Sequence, residues 1–138
     1  MPSNPSMQDR AVHEPVPSDV LDDAALGKLR ALDPTGRAGI VQRVLRTYDG
    51  SLQKLMLQFE QAAAAGDVQG LRHVAHTLRS SSASVGAMRF SARCGEVETL
   101  IREGHVDRLP PALEAMRAES HLVAVAVRAM LDSQGPCA

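Results

Sequence analysis

Apolar residues recur along most of this chain in steps of three and four, the period of amphipathic helices, and no stretch alternates as a strand would. Leu21, Ala25, Leu29 and Leu32 predict a short first helix from near Asp19 to Leu32, which Pro34 and the following Thr35-Gly36 terminate. Val41, Leu45, Tyr48, Leu52, Leu55 and Phe59 predict a long, deeply packed helix from about Gly39 to Ala65. Gly66-Asp67 supplies a left-handed stop and an N-cap for the next helix, which carries Leu71, Val74, Leu78 and Val85 and ends near Gly86. Another helix bears Phe90, Cys94, Val97 and Ile101 and closes at Gly104. The last begins near Asp107, tolerates Pro110 and Pro111 in its first turn, and carries Leu113, Met116, Val123, Val127 and Leu131. Four such helices with short links predict an all-α fold, an antiparallel up-down four-helix bundle, with the short N-terminal helix left to cap one end.

Residues 19–132 make up that bundle. Residues 1–18 hold Pro2, Pro5, Pro15 and Pro17 among polar residues, show no apolar period, and read as a flexible linker or tail that folding does not require. Residues 133–138 read as a C-terminal tail. At 138 residues the chain can bury one modest core, and because only 2% of residues are aromatic that core must come from Leu, Val, Ala and Met. The methionines at 56, 88, 116 and 130 fit as core filler.

A formal net charge of −1 and the scarcity of stacking aromatics argue against nucleic acid as a partner. Cys94 and Cys137 match no zinc or redox spacing, so neither a metal site nor a disulfide is expected. No apolar run approaches the ~20 residues of a membrane span, and the N-terminus lacks a secretory pattern, so a cytoplasmic setting is expected.

The chemistry concentrates on one helix. At roughly 100° per residue, Leu71, Val74, Leu78 and Val85 fall opposite His76, which is surrounded instead by Gln69, Arg72, His73, Arg79, Ser80 and Ala83. An exposed histidine with an arginine one turn before and another one turn after it, and small residues beyond, suits the landing of an anionic group. His73 and His76, three apart, could in principle chelate a metal, but no third ligand is evident on that face. Ser80, Ser81, Ser82 and Ser84 lie in no nucleophile-elbow pattern and read as small residues that permit close approach.

The run Ala75-His76-Thr77-Leu78-Arg79-Ser80-Ser81-Ser82-Ala83-Ser84-Val85-Gly86-Ala87 closely resembles the signature of histidine-containing phosphotransfer (HPt) domains, which reads approximately A-H-x-L-K-G-S-S-x-x-x-G. The helix layout over residues 20–132 resembles that family as well. The resemblance implies that His76 is the phosphoacceptor, through Nε2, and that Gly86 is a structural turn glycine. It further implies that Arg72, His73, Arg79, Ser80 and Ala83 lie on the face where a receiver domain docks. Two positions depart from the pattern: Arg79 stands for the usual lysine, replacing a compact ammonium with a planar fork, and Ser80 stands for the usual glycine.

The implied partners are receiver domains of response regulators or of a hybrid sensor kinase, exchanging a phosphoryl group reversibly between phospho-aspartate and imidazole. Histidine suits this role because its reference pKa of about 6.5 leaves the imidazole largely uncharged at neutral pH. No carboxylate cluster that would hold Mg²⁺ is evident beside His76, so the cofactor is expected in the receiver and none in this chain. The chain is expected to be a monomeric carrier rather than an enzyme, either free-standing or as the end of a membrane-bound hybrid kinase. Two other functions compete. An HPt-like bundle could dock a receiver without accepting phosphate, a reading that Ser80 favours and the intact His76 opposes. A kinase fragment using its own ATP is disfavoured, because no glycine-rich nucleotide box is present and His76 is followed by Thr77-Leu78 where a kinase dimerisation helix would carry an acidic residue next.

Overall fold

The computed structural model describes residues 20–133. Among the described residues five α-helices follow one another: α1 (Asp23–Ala31), α2 (Ile40–Ala65), α3 (Val68–Ser84), α4 (Met88–Arg102) and α5 (Leu109–Ser133). One turn of 3-10 helix at Val106–Arg108 leads into α5, whose first turn accommodates Pro110 and Pro111, where their missing N–H groups leave no helical bond unmade. Helices α2 to α5 pack each against the next, α5 returns to α2, and α1 lies against α2. The fold is the all-α up-down bundle with an N-terminal helix that the periodicity predicts.

Local chemistry sets the links. Gly66 ends α2 at φ +68°, and the Asp67 side chain accepts the Gly70 backbone N–H at 3.0 Å to start α3. Asp33 accepts backbone N–H groups from both Ala38 and Ile40, and so braces the loop that enters α2. The interior is aliphatic around three aromatic rings: Phe59 and Phe90 are fully buried with Leu45, Leu52, Leu78, Met116, Val123 and Val127, and Tyr48 is buried beside them. A hydroxyl pair crosses this core, with Tyr48 Oη and Ser82 Oγ 2.7 Å apart between α2 and α3. Burial pushes the Tyr48 phenol well above its ordinary value, although the Ser82 bond opposes the shift, so it stays neutral.

The α1 region differs from its prediction in detail. The helix starts at Asp23 rather than Asp19, and Val20, Leu21 and Leu26 are its buried anchors. Leu32 is 69% exposed, because the helix is only nine residues long and the chain turns away at its C-cap. Among the methionines read as filler, Met116 is buried, but Met88 opens α4 at the rim and is largely exposed. At the other end, Ser133 belongs to α5 rather than to a tail. The proposed linker at 1–18 and the tail from residue 134 onward lie outside the described residues.

The lead into α1 seals the end of the bundle where α3 turns into α4. Asp22 N–H donates to Gly86 O at 2.6 Å. Gly86 has φ +86°, and a Cβ there would lie 2.7 Å from both Asp22 N and Asp22 O. The turn thus needs glycine twice over, for its backbone conformation and for the close approach of a second strand of chain.

Candidate functional site

Helix α3 is oriented by what it buries. Leu71, Val74, Ala75 and Leu78 face the core, so the opposite side of the helix is turned outward. His76 lies on that outer side, its side chain 70% exposed. It is not free, however: Nδ1 lies 2.8 Å from Oε2 of Glu98 on α4, whose side chain is only 8% exposed. Arg79, one turn along α3, donates from a terminal guanidinium nitrogen to the other oxygen, Oε1, at 3.2 Å. One carboxylate therefore bridges the imidazole and the guanidinium, one oxygen to each.

Burial alone would push the Glu98 carboxyl up, but the hydrogen bonds and charges of His76 and Arg79 outweigh it and hold it below the usual carboxylate range. Glu98 is then an anion at neutral pH and can only accept. An acceptor on Nδ1 requires Nδ1 to carry the proton, which in the neutral ring leaves the lone pair on Nε2. The arrangement can present an exposed nucleophilic nitrogen whose tautomer is set from behind.

The other predicted site residues are placed as follows. Arg72 and His73 line an open hollow with Gln69, His76 and Glu98. Arg79 does not line that hollow but borders a neighbouring groove along α4, donating to Glu98 between the two, and its backbone carbonyl accepts the Ser91 hydroxyl at 2.8 Å. Ser80 is exposed one turn beyond His76, its carbonyl accepting from Ser84 Oγ at 3.2 Å. Ala83 is half-buried a further turn on, and Gly86 sits buried in the α3–α4 turn.

The residue that sequence reasoning missed is Glu98, although a signal was present. It stands four residues after Cys94 and eight after Phe90, on the buried side of its helix, and a carboxylate among core positions calls for a partner. Cys94, one turn earlier, is a buried free thiol whose pKa burial raises to about 12, which makes it an inert core residue. Among the described residues, no group of three or more His, Cys, Asp or Glu side chains converges as a metal site. Among them, too, no helix is long and apolar enough to cross a membrane.

Comparison with known proteins bears on this geometry. Residues 43–133 match the model of the Hpt domain family. The fold is similar to the crystal structure of histidine-containing phosphotransfer protein B (HptB) from Pseudomonas aeruginosa PAO1, with a TM-score of 0.72 and 27% sequence identity. That similarity covers 83% of this chain and 96% of the other. Comparison with curated proteins finds no match.

Proposed function

This chain belongs to the Hpt domain family, the phosphocarrier modules of two-component signalling, and from that premise we propose that it carries a phosphoryl group on His76 between receiver domains. The observation that supports this most is the pairing of a 70% exposed imidazole with a buried carboxylate 2.8 Å from Nδ1.

In the proposed step, the Nε2 lone pair of His76 attacks the phosphorus of a receiver's phospho-aspartate. The bond from phosphorus to the aspartyl oxygen breaks, and that carboxylate leaves with the electron pair. Nδ1 keeps its proton throughout, so the phosphorylated ring is cationic, and Glu98 lies against the nitrogen that shares the new charge. Stabilisation by a fixed neighbouring anion of the charge that develops in transfer is an electrostatic contribution that needs no rearrangement. Glu98 is thus a positioning residue, orienting the ring and compensating its charge. The same step reversed returns the phosphoryl group to an aspartate. Mg²⁺ bound in the receiver would supply the remaining charge neutralisation, and Arg72 and His73 line the hollow beside His76.

The test is labelling by a phosphorylated receiver with Mg²⁺. Wild type should take up label that is acid-labile and base-stable, as phosphohistidine is, and His76→Gln should take up none while remaining helical by circular dichroism. Label at the wild-type level on His76→Gln overturns the assignment. Wild type that binds the receiver but never becomes labelled is a docking module instead.

A further inference from the structure

The two arginines that bracket His76 in sequence serve different hollows. Arg72 is half-buried and lines, with Gln69, His73, His76 and Glu98, an open hollow of about 300 Å³. Among the described residues Arg72 has no ion-pair partner. Arg79 lines a separate groove along α4 with Met88, Ser91 and Gly95. A Cβ added at Gly95 would lie 3.4 Å from Arg79 Nε and 3.7 Å from Cζ, so the guanidinium rests close over that glycine on its way to Glu98 Oε1.

Charge explains why the division is useful. A phosphoryl group approaching Nε2 enters a hollow that Glu98 also lines, and an uncompensated carboxylate there would repel it. Arg79 neutralises Glu98 from the far side, leaving Arg72 to set the sign of the hollow. A carboxylate held on one oxygen by the guanidinium is also restrained in direction on the other, where it meets the imidazole.

Resting on the reading of His76 as phosphoacceptor, we propose that the cations are divided by role: Arg79 is a positioning residue that holds and neutralises Glu98, and Arg72, with His73, receives the phosphoryl oxygens. Arg72 stands four residues, about 6 Å of helical rise, before His76, and because helical side chains lean toward the N-terminus the His76 ring lies over the turn that carries Arg72, in the hollow they share.

The experiment measures initial labelling rates of wild type, Arg72→Ala, Arg79→Ala, Arg79→Lys, Glu98→Gln and the double variants with Glu98→Gln. Donors are phosphoramidate and one phosphorylated receiver, and the His76 tautomer is read by ¹⁵N NMR. Arg72→Ala should slow labelling from both donors by about ten- to a hundred-fold, the worth of a charge-assisted contact, and leave the Nδ1–H tautomer unchanged. Arg79→Ala should reduce the Nδ1–H population, and its effect on rate should largely vanish in the Glu98→Gln background, whereas that of Arg72→Ala should persist there. Arg79→Lys should recover part of the rate. Arg72→Ala within about twofold of wild type overturns the proposal, as does Arg79→Ala having equal effect in both backgrounds. If Glu98→Gln transfers too slowly to measure, the tautomer decides, since it must respond to Arg79→Ala and not to Arg72→Ala. Wild type that takes no label from either donor refutes the His76 reading itself, which is a separate outcome.

Discussion

Gly86→Ala should destabilise the bundle by more than the same change at another left-handed glycine. The added methyl meets two penalties. A non-glycine residue at φ +86° costs about 1–2 kcal/mol in backbone strain. The Cβ would also lie 2.7 Å from Asp22 N and O, where nothing but backbone can yield. Moving that segment breaks the Asp22 N–H to Gly86 O bond, worth about 0.5–1.5 kcal/mol. The gain from a less flexible unfolded chain returns only about 0.4–1 kcal/mol. A local shift therefore predicts a net loss of about 2 kcal/mol. If the segment instead detaches and exposes Val20 and Leu21, both buried, each side chain adds about 1.5–3 kcal/mol. Gly66 is the control: its φ is +68°, but nothing lies within 4 Å of an added Cβ, so Gly66→Ala should show only the strain less the same unfolded-chain gain, about 1 kcal/mol. Urea titrations by circular dichroism give both values, and hydrogen exchange at the Asp22 amide distinguishes shift from detachment. Equal losses at the two glycines would show that the close approach of Asp22 contributes nothing.

Three further outcomes are expected. Tyr48→Phe should cost about 1–2 kcal/mol by leaving the buried Ser82 hydroxyl without its phenol partner, and Tyr48→Phe with Ser82→Ala should cost less than the sum of the two single changes in urea melts. Ser80→Gln should slow transfer from a receiver sharply without unfolding the chain, whereas Ser80→Gly should transfer as fast or faster while losing at most about 0.5–1 kcal/mol, as stopped reactions against one receiver at fixed salt can show. Stability should fall in acid through Glu98 and Glu60: burial opposes ionisation of Glu98, but its His76 and Arg79 bonds hold it low, and the Arg117 bond holds Glu60 low. A depressed folded value means stabilisation that is complete above the unfolded carboxylate value of about 4.3 and is lost as pH falls through the folded one. Glu98→Gln and Glu60→Gln should each flatten that acid limb in urea midpoints taken across pH, and unchanged slopes would contradict the assignment.

What the sequence reveals of this fold depends on the range of each interaction. The helices were legible because each buries one stripe, and the period of Val41 through Phe59 or of Leu71 through Val85 is a local property. Gly66-Asp67 was legible for the same reason, since stop and cap act within a few residues. Along α1 the predicted stripe holds at Leu21 and Leu29 but not at Leu32, and Val20 joins it, because the lead into the helix is fixed by the distant Gly86 turn rather than by the helical period. Within the site, His76 stood out by its place on the wheel, but the different directions of Arg72 and Arg79 did not. Arg79 is turned by Glu98, nineteen residues away on the next helix, and only the packing of α4 on α3 brings that carboxylate within reach.

If His76 carries the phosphoryl group, its open setting leaves the direction of transfer to the partners. With 70% of its side chain in solvent and only the Nδ1 edge held, Nε2 offers the same approach to a domain delivering a phosphoryl group and to one collecting it. Such a module works as a conductor rather than a valve. Net current through it follows the relative abundance and phosphorylation of the receivers at either end, so raising the level of one receiver should be enough to reverse the flow.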